Sequence, residues 1–516
     1  MTERDFQTSR SGTPARAVGY EALVQLIGLN VTPNWHRSFV SGGNTHRIET
    51  VSGGIEAGIV EEVYPVKYWP GDGLGDHLEF ALKYDGTNLA LLARIFRSVP
   101  QDAIIEYVAS KPRGKYARRI WFLYEMLTGV KLPLDDLATG GYVDLLNPEE
   151  YYTAPSRPVR RQRINDNLLG NRQFCPTVRR TDKLRKFEQA DFSDRCRRIV
   201  AGFSPSLLKR AMSYLYTKET KSSFEIEHLK PDSSRTERFI ALLQSAESEN
   251  FCDKSRLLDL QNRIADPRFR DTDYRTTQNY VGERISWQTE KVHYVAPKPT
   301  DLPDLMEGLI AAHRRMDAET AAVVHAAVVS YSFVFLHPFE DGNGRIHRFL
   351  IHNILARKGF TPKGLIFPVS ASMLKNPTDY DASLEAFSRP LMERIDFTLD
   401  DEGRMEVHNE TALWYRYADL TAQAEALFGF IEQTVETELA EELTFLVSYD
   451  RTRSAIQEIV DMADGKIDIF IRLCLQNGGR LSAAKRGRLF SFLTDDEIAS
   501  MEKAVQSGYD KNVPAD

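Results

Sequence analysis

His337-Pro-Phe-Glu-Asp-Gly-Asn-Gly-Arg-Ile-His-Arg348 is the stretch on which the reading of this chain turns. Before it runs an apolar segment, Ala321 to Leu336, interrupted by His325, Ser330 and Ser332, which reads as a buried helix of a soluble core. After it, Ile346, Phe349, Leu350 and Ile354 recur at helical spacing, so a second helix opens near Arg345. Between the two, Asp341-Gly-Asn-Gly344 is rich in residues that tolerate positive backbone angles. A turn of this kind aims several backbone N–H groups into one cavity. The unpaired N–H groups and the dipole at a helix start then favour an anion there.

The side chains point the same way. Arg345 and Arg348 lie one helical turn apart, so both guanidinium forks can reach a polyphosphate lying over the helix start. Asp341 at the mouth of the turn is acceptor-only when ionised, and one carboxylate beside phosphate oxygens and water is the usual way magnesium is held. His337, four residues earlier, can overhang the same cavity as a general base for an incoming hydroxyl. Phe339 reads as the anchor of the loop in the core. The chemistry implied is in-line transfer of a phosphorus-containing group, driven by positioning and electrostatics. Spacing alone leaves a plainer alternative open: a Gly–Asn turn between two core helices, with its arginines in surface salt bridges.

Outward from this segment, 516 residues suggest two to four packed units. With 42% hydrophobic and 27% charged residues the composition is that of an ordinary soluble protein. A net charge of -7 and a pI near 6.0 argue against wholesale nucleic-acid binding. Cys175, Cys196, Cys252 and Cys474 are far apart and form neither a zinc ribbon nor a disulfide framework, which suits a reducing, cytoplasmic setting. The polar N-terminus lacks the apolar core of a secretory signal, and no stretch reaches the length of a membrane span.

The periodicity predicts a mainly all-α chain. Residues 1–16 read as a disordered tail and 17–150 as a helical domain, with Ile120, Leu123, Tyr124 and Leu127 on one face and Gly129 as a C-cap. Gly71, Gly73 and Gly75 read as a loop before a helix capped by Asp76, ahead of the weaker phosphate-loop alternative. Residues 151–199, dense in arginine, read as a solvated linker or arm. Ser204-Pro205 opens a helix with Ser at the cap and Pro at the first turn. Asn279 to Val295, around Gly282 and Trp287, reads as a short hairpin, and helices begin near Leu302 and Ala318. Residues 200–402 form the unit around the central segment, and 403–516 a helical C-terminal region. His347 and His352 lack companions for a metal site, and His325 reads as a core histidine.

His337, Phe339, Asp341, Gly342, Asn343, Gly344, Arg345 and Arg348 match every specified position of HxFx[DE]GNGRxxR, the signature of the Fic (filamentation induced by cAMP) domain, and the chain resembles that family over about residues 200–400. Gln278-Asn-Tyr-Val-Gly282 and His293-Tyr-Val-Ala-Pro297 resemble the family's flap hairpin. The resemblance implies a Fic-type helical bundle with a short hairpin, flanked by helical regions, in a bacterial protein adenylyltransferase. It implies ATP and Mg2+, with His337 as base, Asp341 on the metal, and Gly342, Asn343 and Gly344 cradling the α- and β-phosphates, the Asn343 side chain included. Arg345 would contact the β-phosphate and Arg348 the γ-phosphate, with Tyr380 near the adenine. Val281, Gly282, Tyr294 and Val295 would form the flap that clamps a Ser-, Thr- or Tyr-bearing target segment. Self-modification and self-association are both compatible with this.

Many Fic proteins also resemble one another in [ST]xxxE[GN], a helix whose Glu enters the γ-phosphate site. Ser223-Phe-Glu-Ile-Glu227 fits the Ser and Glu positions, which implies autoinhibition through a Glu227–Arg348 pair. His228 stands where the family usually has Gly or Asn, so Glu225 is an alternative inhibitory residue. A plainer alternative is an exposed acidic helix end beside Lys221 and Lys230. Fic relatives that transfer UMP, phosphocholine or phosphate keep a different donor in view, and a nucleotide-sensing toxin–antitoxin regulator is the reading from another class. The intact GNGR and the retained His337 disfavour the phosphate-transferring and regulatory alternatives.

Overall fold

The computed structural model describes residues 7–8, 14–44, 46–52, 58–285 and 290–509. The chain is mainly helical with small sheets, as its periodicity predicts. At its centre lies the helix Ala322–Leu336, apolar around its whole circumference and buried on nearly every side. A helix with no polar face must be enclosed by others. Leu302–Met316, Thr421–Gln433 and the segment's own following helix, Asn343–Arg357, pack around it. Pro205–Glu225, Val369–Lys375 and Pro377–Met392 complete the bundle and share its core. Among the described residues no helix is long and apolar enough to cross a membrane.

Residues 17–150 are not helical throughout: the helices Gly19–Ile27, Leu74–Phe80, Leu89–Ser98, Gln101–Ser110 and Lys115–Thr128 share the region with a sheet. Pro14–Val18, His36–Ser41, Val60–Tyr64 and Arg47–Thr50 follow one another in a sheet whose other edge is Gln7–Thr8. The pairing is antiparallel except between His36–Ser41 and Val60–Tyr64. The expected tail at 1–16 therefore contains strand at Gln7–Thr8 and from Pro14, while 1–6 and 9–13 lie outside the described residues, as does Trp287. Ala15, Ala17 and Val18 are all buried, so this strand lacks the alternation by which a half-buried strand is recognised. A second core, built on Lys115–Thr128, lies under the sheet-bearing part, and Gly129 caps that helix in the left-handed region as expected. Leu74–Phe80 is capped by Gly73, with Asp76 inside its first turn rather than at the cap.

Residues 151–199 are not a solvated arm. They carry strands Arg157–Val159 and Ile164–Asp166, followed by helices Asp182–Ala190 and Phe192–Ala201, and they contribute Tyr152, Phe174, Leu184 and Phe192 to the main core and Ile164, Leu168 and Cys175 to the second. Several of their arginines face internal acceptors, while Arg157 and Arg160 are exposed. Arg161 pairs with Glu125 at 2.9 Å and Asp136 at 2.6 Å and donates to the Leu132 and Leu134 carbonyls. Arg179 pairs with Asp419 and Arg180 with Glu188. Most of these carboxylates are remote in sequence, so the run reads as hydrated surface until the fold supplies its partners.

The C-terminal region divides. Trp414, Tyr415 and Ala418 to Leu446 contribute to the main core and Leu413 and Tyr417 to the second, whereas Ile456 to Val505 builds a small core of its own. The four cysteines are free and buried.

Removing one partner of a mostly buried ion pair leaves the other charge uncompensated and costs about 3 kcal/mol. Arg161→Ala should therefore lower the thermal unfolding midpoint by several degrees, whereas substitution of the exposed Arg160 should leave it in place.

Candidate active site

Ala322–Leu336 ends at His337, which adopts the left-handed conformation (φ 50°, ψ 57°) and donates its backbone N–H to Phe333 C=O. Glycine is the usual occupant of such a cap, and a side chain there costs about 1 kcal/mol. Surrounding contacts hold the conformation. The Arg275 guanidinium donates to the His337 carbonyl at 2.7 Å, and the Arg275 backbone N–H donates to Pro338 C=O. His337 Nδ1 lies 3.2 Å from Val334 C=O, so Nδ1 carries the proton and Nε2 is left with a lone pair. Burial in the cleft pushes the pKa of the imidazole down to about 4 against the Val334 bond, with the Arg275 charge adding to the depression. The ring is neutral at pH 7, the form a base requires.

Phe339 is fully buried and pins the loop. Asn343 closes it: its Oδ1 accepts from Phe339 N–H at 3.1 Å and its Nδ2 donates to Phe339 C=O at 2.7 Å. The Asn343 side chain, expected to reach a phosphate, is instead engaged twice with this backbone. Gly342 follows at φ 92° and caps Asn343–Arg357, which begins two residues ahead of the predicted start. The first intrahelical bond runs from Ile346 N–H to Gly342 C=O, so the N–H groups of Asn343, Gly344 and Arg345 precede it and point out of the helix end.

Over that end sits Glu227. Its Oε2 pairs with Arg345 Nε at 2.7 Å and its Oε1 with Arg348 Nη2 at 2.7 Å. The expected partner was Arg348 alone; the carboxylate spans both guanidiniums. Arg345 also pairs with Asp341 at 2.6 Å, and Arg348 donates to Ser223 Oγ and Ser223 C=O. Both arginines are almost wholly buried, so the two carboxylates balance two desolvated cations. A Cβ on Gly344 would stand 2.5 Å from Glu227 Oε1, so the carboxylate could rest where it does only against a position without a side chain.

The segment that precedes Glu227 is a helix, Pro205–Glu225, capped by Ser204 with Pro205 at its start as predicted. Glu225 is exposed, and it is Glu227 that reaches the arginines. Glu227 lies in the closing turn, where Leu229 N–H reaches back to Phe224 C=O and His228 adopts φ 56°. That left-handed residue accounts for a position at which Gly or Asn is the easier choice. The helix is bolted in place upstream: buried Glu219 accepts from Ser370 N–H at 2.9 Å and lies 2.7 Å from His352 Nε2. His352 is thus a structural partner, and His325 pairs with His313 at 3.0 Å in the core. Among the described residues no cluster of His, Cys, Asp or Glu is placed to hold a metal.

The hairpin pairs Tyr280–Arg284 with Glu290–Val295, with an irregularity between Val292 and Tyr294. Val281 and Gly282 are exposed on the outer strand, whereas Tyr294 and Val295 are buried, Tyr294 donating its hydroxyl to Phe335 C=O. The second pair anchors the hairpin rather than presenting a surface. Tyr380, expected near the adenine, is buried with its ring over His347 at 6.3 Å; burial raises its phenol pKa and the adjacent Arg348 draws it down. Its place is beside that guanidinium. Two further residues carry no signal in the sequence. Arg275 is a lone arginine in a loop, and Asp271, beside Asp341 and Glu340, has its pKa raised by burial and by those like charges.

The Fic/DOC family profile matches residues 251–355. Over 113 residues the chain is 34% identical to Protein adenylyltransferase Fic of Drosophila melanogaster, covering 20% of either protein, and the Drosophila sechellia protein matches to the same extent. It is 36% identical to Protein adenylyltransferase fic-1 of Caenorhabditis briggsae, over 21% of this chain and 18% of that one. The matched region is thus about a fifth of those relatives' length. A Fic family protein from Desulfovibrio desulfuricans superposes with TM-score 0.37 and 17% identity, over 60% of this chain and 87% of that one. Residues 251–355, with the His337–Arg348 segment inside them, are therefore a Fic domain within a longer chain.

Proposed function

We propose that this chain transfers AMP from ATP to a hydroxyl of a protein, and that Glu227 holds the reaction in check. The observation that carries the proposal is the Glu227 carboxylate lying over the start of Asn343–Arg357, between two buried guanidiniums and against a bare Gly344. A carboxylate in that place is an anion bound at a helix N-terminus, and it stands in for a phosphate group. The printed names of the matched relatives, protein adenylyltransferases, support the same reading.

With Glu227 withdrawn, the triphosphate would lie across the N–H groups of Asn343, Gly344 and Arg345, its charge met by the Arg345 and Arg348 forks. The Asn343 side chain keeps the loop in shape for this, and its backbone N–H serves as donor. Asp341 is partly exposed and shares one oxygen with Arg345, so a single hard carboxylate is available beside the phosphates, a donor set that suits Mg2+. Bound there, the cation would neutralise phosphate charge. His337 Nε2 takes the proton from the target hydroxyl as its oxygen attacks the α-phosphorus. The bond from that phosphorus to the bridging oxygen breaks, and pyrophosphate leaves. The strand Tyr280–Arg284 has one side without a paired strand among the described residues, and a target segment added there would bring its hydroxyl to the base.

The decisive experiment supplies ATP labelled on the α- or the γ-phosphate, with Mg2+, to the parent chain and to Glu227→Gly in a cell lysate. Label should enter protein from the α position only, and the substitution should raise it by about tenfold or more, since each charge-assisted bond released is worth about 1.5–3 kcal/mol. Label from γ alone would mean a kinase. Arg348→Ala should weaken ATP binding and shrink the effect of the Glu227 substitution without abolishing it, because Arg345 still holds the carboxylate, so fully additive effects in a double-mutant cycle would separate the two residues. His337→Ala should slow transfer by about 10²- to 10⁴-fold with ATP affinity kept.

The pH dependence follows from the depressed pKa. A base protonated only near pH 4 stays competent as pH falls through 6.5, so kcat/KM of Glu227→Gly should hold level between pH 8 and about 5.5 and decline below that. An acid limb at or above 6.5 would contradict the assigned environment of His337.

A further inference from the structure

Arg275 is 4% exposed and has no carboxylate among its hydrogen-bond acceptors. Its three guanidinium nitrogens each donate to a backbone carbonyl, and each at 2.7 Å: Nε to His337, Nη1 to Thr277 and Nη2 to Pro297. Its backbone N–H takes a fourth, Pro338 C=O, at 2.9 Å. The acceptors come from three separate places. Thr277 and Pro297 are the two roots of the hairpin, just outside Tyr280–Arg284 and Glu290–Val295, and His337 is the left-handed residue that carries the base.

A buried cation whose hydrogen bonds all go to carbonyl dipoles is expensive to keep, and desolvation lowers the pKa of this one to about 10 against the more distant Glu340 charge. A single packing contact does not require it. What the rigid planar fork supplies is a fixed relation among three carbonyls, which a flexible ammonium or an amide cannot reproduce. The fork also grips the peptide that must stay in an unfavourable backbone region for the imidazole to overhang the helix start.

We propose that Arg275 is a positioning residue that joins the hairpin and His337 into one rigid unit, so that a hydroxyl held on the hairpin edge arrives at Nε2. This rests on the transferase reading above. Arg275 touches neither the arginines nor the N–H groups assigned to the triphosphate, so its effect should fall on transfer and spare nucleotide binding. The charged groups that bear on the His337 ring are Arg275 on one side and Glu227 and Asp341 on the other.

The test uses the full chain carrying Glu227→Gly, to which Arg275→Lys or Arg275→Gln is added. Three quantities are read: the rate at which label from α-labelled ATP enters the chain itself and lysate proteins at saturating ATP and Mg2+, the ATP dissociation constant by calorimetry, and the pH at which the rate declines on the acid side. Thermal unfolding reports the fold separately. Lysine keeps the charge but reaches one carbonyl instead of three, so the rate should fall by about 100-fold, the scale of an ångström-sized misplacement. ATP affinity should stay within about twofold of the parent and the acid limb should not move. Glutamine removes the charge as well, so its rate falls similarly and its acid limb shifts to higher pH, because the cation that opposed the imidazolium is gone. A parental rate in Arg275→Lys, a loss matched by equally weakened ATP binding, or an unmoved limb in Arg275→Gln would each overturn the proposal. Absence of label in Glu227→Gly alone would sink the transferase reading instead, so the two failures are distinct.

Discussion

The pairing of one carboxylate with two buried guanidiniums is the constraint around which the Fic domain of this chain is arranged. Arg345 and Arg348 are desolvated on a helix whose other side chains are almost all in the core, and such charges are tolerable only with partners held at hydrogen-bond distance. Glu227, Asp341 and Ser223 provide them. Everything that fixes Glu227 therefore bears on the stability of the centre as well as on its chemistry. The helix Pro205–Glu225 is held by buried Glu219 against His352 and Ser370, and by Lys218 against Glu438. Glu227 itself lies beyond the helix, in the short turn from Ile226 to Leu229 that closes on the Ser222, Phe224 and Glu225 carbonyls.

Two left-handed residues, His228 and His337, stand at the ends of the helices that meet here. Each occupies a conformation in which glycine would be easier, and each lies beside a group assigned to the chemistry. Strain of this kind persists where neighbours over-determine it. At His337 those neighbours are Arg275 and the Val334 carbonyl. At His228 they are the bonds that close the turn.

The centre of the molecule was legible because its signals are local. The Gly–Asn–Gly turn, the helix periods on either side and the spacing of Arg345 and Arg348 all lie within a few turns of one another, and the mainly helical fold follows from the same periods. What escaped depends on contacts far apart in sequence. In the sheet built on Pro14–Val18 and His36–Ser41, Ala15, Ala17 and Val18 and most of His36–Ser41 are buried, so these two strands show little alternation. The arginine-rich strap reads as solvated because Glu125, Asp136 and Asp419 are brought to it only by folding. The Asn343 side chain and Tyr294 have the residue types that the pattern suggests, yet the fold turns them to internal bonds. Arg275 is invisible in sequence for the same reason: its partners are carbonyls, which every residue possesses.

Gly344 has a consequence for how this chain can change. The hydrogen that stands in place of a side chain lets an acidic oxygen settle against the helix start, and on the proposed reading the same gap admits phosphate. Adding a single methyl there would exclude both occupants together. On that reading, a substitution at 344 that displaces Glu227 also obstructs the nucleotide, so release without loss of binding is reached through the turn that carries Glu227.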